Sequence, residues 1–242
     1  AAVGGEATMI RQAENLREEK SHSVSLSADM YRRFGAFQCN LLLEGFYTRL
    51  NHVFVLEEIG KDEEHNAVIK ERRNGQGAEV AGVTVEGKVA YLSLVQLQAG
   101  VTWQKSHYTR PEKWSKDSSV PAEKRIFRTP DWYGYFTATY SPVKPLNIAL
   151  SGTYTGSMIV QHMKGYIPKD IAVTTPDFFD MNLKISYDFS LYKFITLQLN
   201  AGIQNIFNAY QRDFDRGKER DSGYIYGPSM PRSYFAGAKL MF

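Results

Sequence analysis

The chain of 242 residues has a single cysteine, Cys39. One thiol forms neither an internal disulfide nor a cysteine-based metal cluster, so Cys39 reads as a small apolar strand residue. Long apolar runs are also missing, although hydrophobic residues make up 43% of the chain and aromatics 13%. No stretch approaches the ~18–20 apolar residues of a membrane-spanning helix, and a helical membrane protein is excluded. Membrane crossing by strands is not excluded, because alternating lipid-facing and lumen-facing residues average to mild polarity. Charge of one sign is scarce too: 29 basic residues face 26 acidic ones, for a net +3. They are interleaved, whereas nucleic-acid binding needs a concentrated cationic footprint, so no nucleic-acid partner is expected. The first twenty residues carry Glu6, Arg11, Glu14, Arg17, Glu18 and Glu19 without a continuous apolar core, which is not the pattern of a signal peptide.

What the chain does have is period-two alternation, the signature of strands. Nine strands are predicted. They lie near residues 21–32, 37–53, 78–91, 95–104, 131–141, 146–160, 178–189, 195–207 and at the C-terminal end. In the clearest of them Val95, Leu97, Ala99, Val101 and Trp103 face away from Gln96, Gln98, Gly100, Thr102 and Gln104, which suggests a wetted interior. The last strand sets Tyr234, Ala236, Ala238, Leu240 and Phe242 against Ser233, Phe235, Gly237, Lys239 and Met241, and is expected to pair with the 195–207 strand. Trp132, Tyr133, Tyr135, Tyr224, Tyr226 and Tyr234 lie near strand ends, as in the aromatic girdles of membrane interfaces.

The connections alternate in length. Short ones fall at 33–36, 92–94, 142–145 and 190–194; long ones fall at 56–77, 108–130, 161–177 and 208–230. Outer-membrane barrels sort their loops in this way, with short periplasmic turns and long extracellular loops. Nine is an odd number, and an open sheet in lipid leaves two unpaired edges, so upstream strands are expected to be missing from the sequence. The expected organisation is a loop over 1–20 leading into the first strand, then barrel wall over 21–242.

The terminal residues carry a resemblance. The Asn205-Ile206-Phe207-Asn208 step, the Tyr226-Gly227-Pro228 turn, Pro231-Arg232 and the alternation into Phe242 look like the C-terminal signature of TonB-dependent outer-membrane receptors, most nearly those of Bacteroides-type bacteria. The stretch from Asn15-Leu16 to Glu19-Lys20-Ser21 resembles the approach to one of that family's mid-barrel strands. The resemblance implies an all-β, antiparallel, up-and-down transmembrane barrel of which this chain supplies about the last nine of 22 strands, with plug and TonB box outside the sequence. It also implies an outer-membrane location in a Gram-negative bacterium and uptake of a large, scarce nutrient, a ferric siderophore before cobalamin, haem or an oligosaccharide. The implied partners are the TonB complex, outer-membrane lipid and the chelated ligand; no resident cofactor is implied. Physical reasons support parts of the signature. Pro228 and Pro231 lack a backbone donor and suit a loop–strand boundary, and the long stem of Arg232 can cover apolar surface while its guanidinium stays wet.

No catalytic constellation is present, and no enzyme activity is expected. The five histidines show no metal-ligand spacing, and His107 and His162 read as surface residues near strand ends. Acidic pairs such as Asp213 with Asp215 arise readily in loops of mixed charge. Binding residues concentrate on loops held by a rigid scaffold. The aromatic and cationic loop residues Tyr108, Arg110, Trp114, Tyr166, Arg212, Arg216, Arg220 and Tyr224 are therefore the candidates for contacting an anionic or chelated ligand. The competing readings are a soluble β-sandwich binding module such as a lectin, whose apolar strand faces are buried against a second sheet, and a passive porin or barrel enzyme with a complete, even strand set.

Overall fold

Alternating side chains become strands over most of the chain. The computed structural model describes residues 7–65 and 67–242, and among these it has no helix. In chain order the strands are β1 (Ala7–Gln12), β2 (Lys20–Phe34), β3 (Phe37–Asn51), β4 (Phe54–Asp62), β5 (Ala67–Asn74), β6 (Ala78–Tyr91), β7 (Val95–Glu112) and β8 (Glu123–Arg125). They continue with β9 (Trp132–Val143), β10 (Leu146–Thr155), β11 (Ile159–His162), β12 (Ile171–Thr174), β13 (Phe178–Tyr192), β14 (Ile195–Gln204) and β15 (Ser233–Met241).

Nine of them form an open meander in the order β15-β14-β13-β10-β9-β7-β6-β3-β2, with β8 added beside β7. Every neighbouring pair is antiparallel. These are the nine strands expected from the sequence, and β14 pairs β15 with Leu197 opposite Leu240 and Ile203 opposite Tyr234. The short turns all fall at one end and the long connections at the other.

Register sorts the two faces. Cys39, Val89, Leu97, Ala138, Leu150, Leu183, Ile203 and Tyr234 stand side by side in one row across eight strands. One residue further along each strand, the row on the other face is Asn40, Lys88, Gln98, Thr137, Ser151 and Asn182. A one-residue slip exchanges the two faces, so this agreement across so many strands fixes the register. The polar face is laced by cross-strand hydrogen bonds: Thr84 to Thr102 at 2.8 Å, Asn40 to Asp29 at 2.6 Å, and Gln98 to Tyr135 at 2.8 Å. Pairs of this kind contribute about 0.2–1 kcal/mol each.

The apolar face is uncovered. Leu26 is 81% exposed, Leu97 44% and Leu199 44%, and among the described residues no second sheet packs on them. The soluble sandwich requires such a sheet and is not what the chain forms. Aromatic residues fringe this face at both ends. Trp103 and Trp132 pair at 6.3 Å near the long loops, and Phe37 and Tyr91 pair at 4.6 Å near the short turns. From Val95 to Trp103 the strand runs about 27 Å at ~3.4 Å per residue, which a tilt of ~40° reduces to about 20 Å. That is close to the ~25 Å apolar band of outer-membrane barrels.

Several expectations are corrected. The 56–77 segment, expected as an irregular long loop, is the β4–β5 hairpin, whose apolar alternation at Val55, Ile59 and Ile69 is diluted by intervening charges. Ala7–Gln12, in the lead-in segment, adds to this hairpin as a strand parallel to β5. The strand expected over 146–160 ends at Thr155, Ile159–His162 forms β11 and pairs with β12 in the following connection, and β7 runs on to Glu112 instead of ending near residue 104. Tyr135, expected in a membrane girdle, points to the polar face and bonds Glu86, because it is offset by an odd number of residues from Trp132. Tyr224 and Tyr226 are buried inside the loop cluster, 3% and 7% exposed, and do not reach a girdle.

Close strand approach gives a test of this register. A Cβ added at Gly82 would lie 2.6 Å from both the Trp103 carbonyl oxygen and Phe46 Cζ, whereas one at Gly45 would meet nothing within 4 Å. Gly82→Ala is expected to lower stability by about 1–3 kcal/mol through overpacking, and Gly45→Ala to change it by less than about 0.5 kcal/mol. Thermal or denaturant unfolding of the two variants in detergent distinguishes them.

Candidate functional site

At the long-loop end the connections are tied to one another and to the sheet. The last connection, between β14 and β15, begins with a tight turn in which Asn205 and Asn208 have φ values of 51° and 55°. Asparagine is one of the few side chains that tolerates this region, since it can bond its own backbone surroundings. Asn205 donates to the carbonyls of Ala209 at 2.9 Å and Met230 at 2.8 Å, and accepts from the Ala209 amide at 2.9 Å. Asn208 Oδ1 accepts from the amide of Arg232 at 3.0 Å. Gly227, at φ 77°, turns the chain directly over the Phe178 ring, where a Cβ would come within 2.8 Å. The terminal signature thus closes both ends of this long connection. Pro228 and Pro231 lie at its return to β15, Phe207 is 56% exposed and Phe242 is 92% exposed.

Beyond that turn, three aspartates organise the connection. Asp213 accepts the hydroxyls of Tyr224 at 2.7 Å and Tyr226 at 2.6 Å. Asp215 meets Nε2 of His162 at 2.9 Å and accepts the amide of Asp221 at 2.9 Å. Asp221 in turn accepts the amide of Met163 at 2.8 Å. The His162 ring stacks on Tyr224 with centroids 3.7 Å apart and planes 4° from parallel. Beneath them Val160, Phe178, Tyr224 and Tyr226 form a small apolar core. His162 is 6% exposed, which corrects its reading as a surface residue. The signal was its parity with Val160, which puts both side chains on the buried side of β11.

Burial raises the pKa of Tyr224 and Tyr226, and the hydrogen bond to Asp213 raises both further, Tyr226 to about 12. For Asp213, burial pushes upward, but the hydrogen bonds from Tyr226 and Tyr224 outweigh it and the carboxyl ends below its ordinary value. A pKa raised on folding contributes stability that is complete below the unfolded value and lost as pH rises through the folded one. The loop is therefore expected to loosen between pH 10, the ordinary tyrosine value, and about 12. The lowered Asp213 pKa acts at the other extreme, contributing above the ordinary value of 3.8 and fading as pH falls through the folded value. Tyrosine absorbance during alkaline titration is the check: Tyr224→Phe and Tyr226→Phe are each expected to remove amplitude from the last-ionising tyrosines, and removal of earlier amplitude contradicts the account.

Other contacts link the remaining connections. Arg73 of β5 bonds Glu57 at 2.5 Å and Glu112 at 3.0 Å, and Glu112 also accepts the amide of Gln76 at 2.8 Å. This buried carboxylate clamps the β4–β5 hairpin to the tip of β7. Lys116 pairs with Glu58 at 3.0 Å, and Ser115 donates to Asp170 at 2.5 Å. Arg128 donates to the carbonyls of Ile225 at 2.7 Å and Gly223 at 2.5 Å. All four long connections thus share hydrogen bonds or ion pairs, which pre-organises whatever surface they present. Arg128, Asp213 and Asp215 in this network had no sequence signal of their own.

The eight sequence-derived candidates are placed unevenly. Tyr108 and Trp114 line one groove with Arg73, Glu112 and Lys113. Trp114 donates to the Pro121 carbonyl at 3.2 Å and meets Phe127 edge-on at 5.2 Å. Arg110 near the tip of β7, Tyr166 on the β11–β12 connection, and Arg212 and Arg216 together on the β14–β15 connection are exposed, with Arg212 lying over the Tyr210 ring at 5.5 Å. Arg220 is half-buried and donates to the Gly217 carbonyl at 2.8 Å. Tyr224 is buried and holds its loop through Asp213. Among the described residues no group of three or more His, Cys, Asp or Glu side chains has the arrangement of a metal site.

A family model described as "TonB dependent receptor-like, beta-barrel" matches residues 3–206. Solved structures with the same fold include the ferric-catecholate import receptor Fiu of E. coli, at 18% identity and a TM-score of 0.60, covering 95% of this chain and 28% of that one. A mutant of the ferric enterobactin receptor of Pseudomonas aeruginosa, in complex with enterobactin, matches at 15% identity and 0.60, over 96% of this chain and 32% of that one. The siderophore receptor PirA of Acinetobacter baumannii matches at 15% and 0.56, over 92% and 32%. The chain spans about a third of the length of these structures. No curated protein matches it.

Proposed function

The chain belongs to the TonB-dependent receptor β-barrel family, and from that premise we propose that it forms barrel wall and ligand-capturing loops of an outer-membrane importer whose cargo is a ferric siderophore. The observation that carries the reading is the pre-organised cluster of long connections at one end of a sheet with an apolar outer face and a polar inner face. The location implied is the outer membrane of a Gram-negative bacterium, with lipid against the Leu97 and Leu199 face and the loops outside the cell. Capture is followed by inward movement driven through the TonB complex, which acts on parts of a receptor that lie beyond these strands.

In this reading Tyr108, Arg110, Trp114, Tyr166, Arg212, Arg216 and Arg220 meet the ligand, and Tyr224 holds the loop that carries the last three arginines. A ferric chelate with net negative charge suits exposed guanidinium groups, which give charge-assisted hydrogen bonds to its oxygens. Cobalamin lacks that charge, and the ferric-catecholate, enterobactin and siderophore receptors of like fold favour the siderophore over haem or an oligosaccharide.

Titration of the purified protein with ferric enterobactin as probe, followed by quenching of tryptophan fluorescence, tests the reading. Saturable quenching is expected, with affinity lowered at least tenfold, about 1.4 kcal/mol, when Arg110, Arg212 and Arg216 are replaced together by alanine. Saturable binding unchanged in that triple variant removes the residue assignment, and no saturable binding of any ferric chelate removes the siderophore reading.

A further inference from the structure

The two ends of the apolar face differ in charge. At the long-loop end its cations are paired: Lys20 with Glu18 at 2.8 Å, Arg49 with Glu79 at 4.0 Å, Lys105 with Asp131, and Arg125 with Glu123 at 3.1 Å. At the short-turn end they are not. Arg32, opposite Cys39 in the outward row, Lys144 in the β9–β10 turn and Lys193 in the β13–β14 turn are exposed and have no ion pair or side-chain hydrogen bond among the described residues. Arg33 turns to the polar face and bonds the Gly35 carbonyl at 3.3 Å.

The sequence leaves these cations without partners. No Asp or Glu occurs between Asp29 and Glu44, between Glu86 and Glu112, between Asp131 and Asp170, or between Asp188 and Asp213, and each of these stretches contains one short turn. The carboxylates nearest the turns, Asp29, Glu86 and Asp188, sit on the polar face, where Asn40, Gln98 and Gln198 bond them at 2.6, 3.2 and 2.8 Å. The outward rim therefore carries charge of one sign.

Each cation stands among exposed apolar side chains: Phe34 and Phe37 near Arg32, Val143 before Lys144, and Tyr192 and Phe194 on either side of Lys193. A long aliphatic stem covers such surface while its charge reaches the polar interface, and amphipathic aromatic side chains prefer that depth. With strands ~4.8 Å apart, Lys193 lies two strands or about 10 Å from Lys144, and Arg32 four strands or about 19 Å beyond it. Such spacing suits separate small anions.

We propose that the short-turn rim binds the headgroups of anionic phospholipids, with Arg32, Lys144 and Lys193 each meeting a phosphate and the flanking apolar side chains meeting acyl chains. Two properties fix the occupant together: the positive charge is uncompensated, and it is continuous with the apolar face, which only an amphiphile matches. The rim's role rests on the reading of that face as lipid-facing, and narrows its partner to lipids of net negative charge in the leaflet at the short turns. Guanidinium and ammonium groups give charge-assisted hydrogen bonds to phosphate oxygens. A zwitterionic lipid offers the same phosphate with its charge cancelled.

Native mass spectrometry of the purified protein, in a non-ionic detergent with equal amounts of phosphatidylglycerol and phosphatidylcholine of matched acyl chains, tests the proposal. Phosphatidylglycerol adducts are expected to exceed phosphatidylcholine adducts at least about fivefold, the effect of one such cation near an anionic headgroup. Replacing Arg32, Lys144 and Lys193 together by glutamine is expected to bring the ratio below about twofold. Replacing Lys20, Arg49 and Lys105 by glutamine removes the same net charge from the paired end and is expected to leave the wild-type ratio. The wild-type ratio decides even if a variant fails to fold. A wild-type ratio below about fivefold leaves an acidic protein segment as the occupant and overturns the proposal, as does a rim variant that stays above about twofold or a paired-end variant that falls as far. Equal adducts of the two lipids overturn the rim's selectivity and leave the lipid-facing surface standing, whereas adducts of neither contradict both.

Discussion

Leu199→Arg is expected to destabilise the protein in a bilayer by about 2–4 kcal/mol, the cost of a guanidinium near the midplane on the lipid face of a transmembrane barrel. Leu199 lies between Tyr187 and Ala238 in an outward row and is 44% exposed, so an arginine there has no polar partner on its own face. Thr137→Arg, on the opposite face in the row with Gln98 and Ser151, places the same charge among polar groups and is expected to change stability by less than about 1 kcal/mol. Unfolding in phospholipid vesicles measures the pair. In a soluble protein the exposed Leu199 is as replaceable as Thr137, so equal effects of the two substitutions contradict a lipid-facing surface.

Asp213→Ala is expected to open the last long connection while leaving the meander intact. The carboxylate holds two tyrosine hydroxyls whose rings are almost fully buried, and removing it leaves both without an acceptor. Hydrogen bonds to a charged group contribute about 1.5–3 kcal/mol, and the loss falls on a local opening because the loop core of Val160, Phe178, Tyr224 and Tyr226 is small. The amide of Tyr226, which donates to Gln211 Oε1 at 3.0 Å, is expected to exchange with solvent about ten- to a hundredfold faster, with β13 and β14 amides unchanged. Exchange at Tyr226 unaltered by the substitution contradicts the role given to Asp213. Because Arg212, Arg216 and Arg220 ride on this connection, ligand affinity is expected to fall with it.

The meander was legible in the sequence because period-two alternation survives wherever one face meets an apolar phase and the other a wet one. Val95 to Gln104 shows this in full, and the short turns gave the strand order. The β4–β5 hairpin was not legible, since its faces meet water and other loops and its strands carry Glu57, Glu58, Lys70, Glu71, Arg72 and Arg73 among few apolar residues. At the site, the terminal signature was readable from Asn205, Asn208 and Gly227, whose backbone conformations few other residues adopt. The role of Tyr224 was not, because an aromatic residue in a charged loop looks the same whether it waits for a ligand or stacks on His162. Nor does local sequence show that His162 and Asp215, from two different connections, meet.

The central claim is that one face of the nine-stranded meander meets lipid and the other lines a wet interior. Nitroxide labels placed singly at Leu97, Leu150 and Leu199, and at their neighbours Gln98, Ser151 and Gln198, in a Cys39→Ser background reconstituted into phospholipid bilayers, test it most directly. The account predicts high accessibility to oxygen and low accessibility to a water-soluble nickel chelate at the three leucines, and the reverse at the three polar positions. Leucine positions shielded from both reagents, or no alternation between neighbours, contradict it.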